Sequence, residues 1–294
     1  MSKQETTVDN ITNESQAKIV VVIGGSTGIG RATAVNLKKS GHNVIIGGKE
    51  TSALIELQQI GIVTFSLDTN DKVSVERFII QISKFVQKID VLINAVDETT
   101  FLPFEMSTIS SARNMFEENL FAPAELILKM IPMLERTGTD RLDQIPSKLI
   151  HITSISSRIA LPLASWYTSV NHAIDGLLDG LRLELKKSRI QVINIQTGLL
   201  NENDVINKTE FRELNNQKYD NLMNKVMLKT KEIRKSGVSA ETIARLAEKI
   251  IKNKSPRTKY IVGRQSKFIV VVQRIFGQTI AESLVRRLFL NFGK

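Results

Sequence analysis

The chain of 294 residues contains no cysteine, and only one tryptophan, three tyrosines and three histidines. Without cysteine it can have no disulfide framework, no thiolate–zinc site and no thiol nucleophile. The histidines, His42, His151 and His172, show no metal-ligand spacing, so no metal site is expected. Aromatic residues make up 5% of the chain and do not interleave with basic ones as base-stacking surfaces require. The net charge of +10 is therefore read as a solvated surface, or one suited to a multiply phosphorylated cofactor, and not as a nucleic-acid site. Long apolar runs are also lacking. The longest, Ile19 to Gly25, is far short of the about 20 residues a membrane-spanning helix needs. Residues 1–17, MSKQETTVDNITNESQA, hold three acidic groups and no arginine, which suits neither a secretory nor a mitochondrial signal. They read as a disordered polar arm, and a soluble, cytoplasmic protein is expected.

Hydrophobic residues, 42% of the chain, are enough for the core of one domain. KIVVVIGG at 18–25 is a short β-branched run of the kind buried on both faces of a sheet. GRATAVNLKKSG follows with helical spacing, then HNVIIGG, SALIELQQIG, IVTFSLD, SVERFIIQISKFVQKI and DVLINAV continue the alternation. A long helix over about 104–135, a strand at KLIHITS, a helix from Ser165 to Ser188 and a strand at IQVINIQTG complete it. Strands alternating with helices of this length predict an α/β fold: a doubly wound parallel sheet, Rossmann-like, in a single domain with a C-terminal helical tail. The expected boundaries are the arm at 1–17, the sheet domain at 18–263 and a basic amphipathic tail at 264–294. The polar, lysine-rich stretch 200–236 follows a strand end and reads either as a lid or as plain surface helices.

Between the first strand and the first helix stands Gly24-Gly-Ser26-Thr27-Gly28-Ile29-Gly30. Glycines there permit a tight turn and bring backbone amides to a pyrophosphate at the positive end of the helix. At the end of the second strand, where an acid would bind ribose hydroxyls, the sequence has Gly48-Lys49. A lysine pairs with a 2′-phosphate, which favours NADP over NAD, although Lys49 also reads as an ordinary surface lysine. Ser154 ends a buried strand and Tyr167 begins a helix thirteen residues later, so both hydroxyls return to the carboxyl edge of the sheet.

The spacing Gly24-x-x-x-Gly28-x-Gly30, with Ser154 and Tyr167, resembles the short-chain dehydrogenase/reductase family from residue 18 to 263. The resemblance implies that Ser154 binds a substrate oxygen, that Tyr167 exchanges its proton and that Asn119, in NMFEENLFAP, supports the relay. It implies cofactor contacts at the glycine loop, Asp68, Asn94 and Gly198, a small-molecule substrate, and a homodimer or homotetramer built on the helices at 104–135 and 165–188.

Several positions depart from the family pattern. The relay lysine, four residues after the tyrosine, is Asn171. At roughly 5 Å and an effective dielectric near 20, one positive charge is worth about 3 kcal/mol, or ~2 pKa units toward tyrosinate. His172 points about 100° away around the helix and does not replace it. The family's Asn-Asn-Ala-Gly is Asn94-Ala-Val-Asp97, its Pro-Gly is Thr197-Gly198, and its following threonine falls on Glu202. Two functions compete on these residues. One is an NADP-dependent oxidoreductase interconverting an alcohol and a ketone on a lipophilic molecule, in a pocket of Leu161, Leu163, Trp166, Leu199 and Leu200. The other is a catalytically impaired relative that binds nucleotide or a protein partner as a sensor or scaffold. The arginine and apolar residues after 264 suit either peripheral membrane contact or packing on the domain or a second subunit.

Overall fold

The computed structural model describes residues 17–140, 145–201, 204, 210–211 and 217–290. The arm expected at 1–17 and the position Glu202 lie almost wholly outside these residues, as does much of 200–216. The chain begins β1 (Ile19–Ile23), α1 (Gly28–Lys39), β2 (Asn43–Gly48), α2 (Thr51–Gln59), β3 (Val63–Ser66), α3 (Lys72–Phe85) and β4 (Val91–Asn94). A two-residue strand β5 (Thr100–Phe101), α4 (Ile109–Phe116), α5 (Ala122–Asp140), β6 (Ser147–Ser154), α6 (Ser165–Glu184) and β7 (Ile190–Thr197) follow. The rest comprises β8 (Glu210–Phe211), α7 (Gln217–Lys235), α8 (Ala240–Lys252), β9 (Lys259–Val262), α9 (Arg264–Phe276) and α10 (Gln278–Leu290).

Seven strands form one parallel sheet in the order β3-β2-β1-β4-β6-β7-β9, a doubly wound sheet whose order reverses between β1 and β4. Side chains alternate along each strand, so Val20 and Val22 pack on one face with Leu37, Ile243 and Ile250 of α1 and α8. Val21 and Ile23 pack on the other with Phe78, Met130 and Ile174 of α3, α5 and α6. Coverage on both faces explains the unbroken apolar run of β1.

The single helix expected over about 104–135 is interrupted. A 3₁₀ turn at Phe104–Met106 is followed by a fresh start at Thr108, where a reciprocal Thr108–Ser111 capping box opens α4. A π-helical turn, Glu117–Phe121, separates α4 from α5. β5 and β8 pair as a small second sheet that the alternation did not predict. The tail is two helices, with Gly277 at φ 86° ending α9. Val285 and Phe289 of α10 bury against Met223 and Val226 of α7, in the cluster that also holds Tyr167.

Candidate active site

Because the strands are parallel, their carboxyl ends share one edge, and the loops leaving β1, β2, β3, β4, β6 and β7 line a cavity of about 760 Å³ there. Gly24, Ser26, Thr27, Gly28 and Ile29 form one wall. Gly24 and Gly28 adopt φ values of 73° and 50°, a region costly for residues bearing a Cβ. Gly30 lies beneath the loop, where a Cβ would strike the carbonyl of Gly24. Thr27 makes no side-chain cap on α1, and the first residues of that helix line the cavity.

Beside this loop, a Cβ on Gly48 would lie 2.6 Å from the Ser26 side chain, so β2 ends with no room for an acid. Lys49 is the first side chain beyond it. Its ammonium lies 2.8 Å from Asp68, and each holds the other charged: Lys49 is raised and Asp68 lowered, chiefly by that hydrogen bond. The two residues read separately in the sequence thus meet as an ion pair, and a 2′-phosphate would have to share Lys49 with Asp68.

At the other end of the cavity stand Ser154, Tyr167 and Asp97. Leu163, at φ 63°, turns the chain into α6, whose first turn presents Tyr167, itself 4% exposed. The Tyr167 hydroxyl donates to Asp97, whose two carboxylate oxygens lie 2.9 and 2.8 Å away. Burial pushes Tyr167 well above its usual range and the Asp97 charge adds to this; hydrogen bonds with Ser154 and Thr99 pull weakly the other way. Burial likewise pushes Asp97 up to about 7, against the Tyr167 hydrogen bond, which favours the carboxylate. Ser154 Oγ accepts from the Ser156 amide at 3.1 Å and closes a short 3₁₀ turn.

Asn171 serves the backbone. Its Oδ1 accepts from the Ser154 amide at 3.1 Å and its Nδ2 donates to the Tyr167 carbonyl at 2.9 Å, tying the end of β6 to α6. His172 turns away to the Thr168 carbonyl. A cation does reach the cavity, from the 200–236 stretch that the sequence reads either as a lid or as plain surface helices. Arg234, near the end of α7, lines the same space and interacts electrostatically with Tyr167.

The remaining predicted residues are placed as follows. Asn119, buried in the π-helical turn, accepts from the Glu98 amide at 2.7 Å and donates to the Glu98 carbonyl at 3.1 Å; it clamps the loop that carries Asp97 and makes no bond to Tyr167. Asn94 pairs with His151 at 3.1 Å. Burial holds His151 down at about 4, and so neutral. Gly198 lines the cavity, with no room for a Cβ against Ser266. Leu161, Leu199 and Leu200 line it too. Leu163 instead packs in the core, and Trp166 stacks near Phe104 and donates to Ser107, so these two leave the expected pocket. No metal-binding cluster occurs among the described residues.

A doubly wound sheet with a glycine loop after β1 and a serine–tyrosine pair at the same edge defines a nucleotide-dependent oxidoreductase type of site. Residues 18–219 match the short chain dehydrogenase family, and the chain belongs to that family of NAD(P)-binding oxidoreductases. The chain is 23% identical over 273 residues to a probable short-chain type dehydrogenase/reductase, VdlC, of Helicobacter pylori, covering 93% of this chain and 98% of that one. It is 26% identical over 252 residues to an NADPH-dependent 3-dehydrocapnine reductase of Ornithobacterium rhinotracheale, covering 83% and 88%. The structure resembles a short-chain dehydrogenase from Streptomyces avermitilis with a TM-score of 0.79 at 21% identity, covering 93% and 98%.

The residues fit a dinucleotide at the glycine end, where the Cβ-free cradle at Gly24 and Gly30 and the uncapped start of α1 meet. At the other end of the cavity Asp97 occupies the tyrosine hydroxyl.

Proposed function

We propose that the protein is an NADP-dependent oxidoreductase that interconverts a ketone and an alcohol on a lipophilic small molecule. The convergence of Ser154 and Tyr167 on a cavity that runs back to the glycine loop carries this reading. Lys49 and the acid-excluding Gly48 support NADP over NAD, as does the NADPH dependence in the name of the Ornithobacterium relative. The bound cofactor would supply or accept a hydride. Gly24 to Ile29 would hold its phosphates, Ser154 would orient the substrate oxygen and Tyr167 would exchange the proton there. Leu161, Leu199, Leu200 and Phe101 offer apolar contacts for the substrate. The test is fluorescence titration with NADPH and NADH, then incubation with lipophilic ketones and NADPH and identification of the alcohol. Tighter NADPH binding with alcohol formation is the expected result.

A second reading, an impaired relative that binds nucleotide, draws on one observation: Asn171 is committed to backbone bonds where the family has its lysine. Binding of NADPH without turnover on any ketone would favour it.

The same proposal extends to assembly and surface. Phe121 and Leu128 on the α5 side and Leu177 and Leu183 on α6 are exposed in the single chain, which supports pairing of two copies through these helices. On the tail, α9 exposes Phe268, Val271, Ile275 and Phe276 beside Lys267 and Arg274, which supports contact with an anionic membrane surface. Among the described residues no helix is long and apolar enough to cross a membrane. Equal sedimentation with anionic vesicles by the parent and by Phe268→Glu with Ile275→Glu, both side chains lying outside the core, would contradict the membrane contact.

A further inference from the structure

Asp97 stands three residues beyond the end of β4, where the family resemblance leads one to expect glycine, and both its carboxylate oxygens meet the hydroxyl of Tyr167. Its position is built. The neighbouring Glu98 is held through both its amide and its carbonyl by Asn119, and Asn119 is itself buried and tied to the Met115 carbonyl at 3.0 Å. The groups around the pair come from two other elements and from the Asp97 loop itself. Ser154 reaches the phenol from the end of β6, Thr99 from the Asp97 loop and Arg234 from α7, while Glu98 adds a negative charge beside Asp97.

We propose that Asp97 is the proton store of this site: its carboxyl group re-protonates Tyr167 as Tyr167 gives its own proton to the substrate oxygen. The proposal rests on the oxidoreductase reading above. In the reductive direction the carbonyl carbon gains a hydride from reduced nicotinamide. The Tyr167 O–H bond breaks as the substrate O–H bond forms, and the Asp97 O–H bond breaks as that of Tyr167 is restored. The products are an alcohol, the oxidised nicotinamide and an Asp97 carboxylate, which regains a proton from water. In the oxidative direction the carboxylate receives the proton that Tyr167 takes from the alcohol.

The physical gain lies in where the negative charge ends. A phenolate in this buried place, facing Asp97 and without the family's lysine, is strongly disfavoured, since Tyr167 is pushed well above its ordinary 10. Asp97, pushed up to about 7, releases and binds protons near neutrality. Reduction needs protonated Asp97, so its rate holds below about pH 7 and falls tenfold per pH unit above it; oxidation runs the other way.

The test has two readouts on the full chain. In the cofactor-free protein, ¹³C NMR of tyrosines labelled at Cζ follows three residues, Tyr167, Tyr219 and Tyr260, and Tyr167→Phe assigns the relevant signal. In kinetics, kcat/KM for ketone reduction is followed with pH in the parent, Asp97→Asn and Asp97→Gly. The proposal predicts a Tyr167 shift with a midpoint near pH 7 that is absent in Asp97→Asn. It also predicts a break in kcat/KM at the same pH that both substitutions remove, with rates about 100-fold lower at acidic pH. A Tyr167 signal or a pH profile that ignores Asp97→Asn would overturn it, as would an Asp97→Gly protein faster at every pH, which would make Asp97 an obstruction. A Tyr167 signal that titrates as predicted in a protein with no turnover on any ketone overturns the oxidoreductase reading, and with it the catalytic use of Asp97, while leaving the shared proton itself established.

Discussion

Asn171 lies one helical turn after Tyr167, and both ends of its amide are bonded to backbone groups in the interior. Its removal would take from the Ser154 amide the Oδ1 it meets, while the Tyr167 carbonyl would lose a second donor and keep its helical one. Asn171→Ala is expected to cost about 1–3 kcal/mol in urea unfolding, because buried polar groups lose their partners. Asp97 makes a different, pH-dependent contribution. Its folded pKa, about 7, lies above the value of an unfolded aspartate, so the folded state binds the extra proton between those values. Stability from this group is therefore fully present at acidic pH and lost as pH rises through about 7. The parent's stability advantage over Asp97→Asn should grow as unfolding is measured from about pH 8 down to about pH 5. His151, held down at about 4, has the opposite sign and is common to both proteins, so it cancels in the comparison.

The elements differed in how legible they were. The glycine loop could be read because β1 is apolar on both faces and α1 starts directly after it, so a local pattern fixed the place of a local motif. Ser154 and Tyr167 could be read for a similar reason, being thirteen residues apart across one strand-to-helix connection. The long helix at 104–135 was misread because apolar periodicity continues through Thr108 and through the π-helical turn, and periodicity carries no record of a cap or of an added residue. The π-helical turn matters to the site, since it carries the Asn119 that clamps the Asp97 loop. Asn119→Ala should speed amide hydrogen exchange at Glu98 by tenfold or more and leave β1 unchanged; equal exchange in both proteins would show that the clamp does not order the loop. The Asp97–Tyr167 contact spans seventy residues, and Arg234 arrives from a helix whose preceding loop is polar and weakly patterned, so neither partnership had a local signature.

For the whole molecule, the apolar residues exposed on α5 and α6 argue for a second copy. Each chain has a mass of 32.9 kDa, and sedimentation equilibrium should find two or four times that mass. The double change Leu128→Glu with Leu183→Glu should shift it to one chain with the far-ultraviolet spectrum unchanged, because both side chains are outside the core. The fold, the glycine cradle and the proton-bearing pair then combine into one claim, that Tyr167 works as an acid–base group in an NADP-dependent reaction. The most direct measurement is NADPH-dependent reduction of lipophilic ketones by the parent and by Tyr167→Phe, with NADPH affinity measured in parallel. The account predicts alcohol formation by the parent, a loss of about 100-fold or more in Tyr167→Phe, and similar NADPH affinity in the two proteins. Equal rates in both, or tight NADPH binding with no alcohol from either, would contradict it.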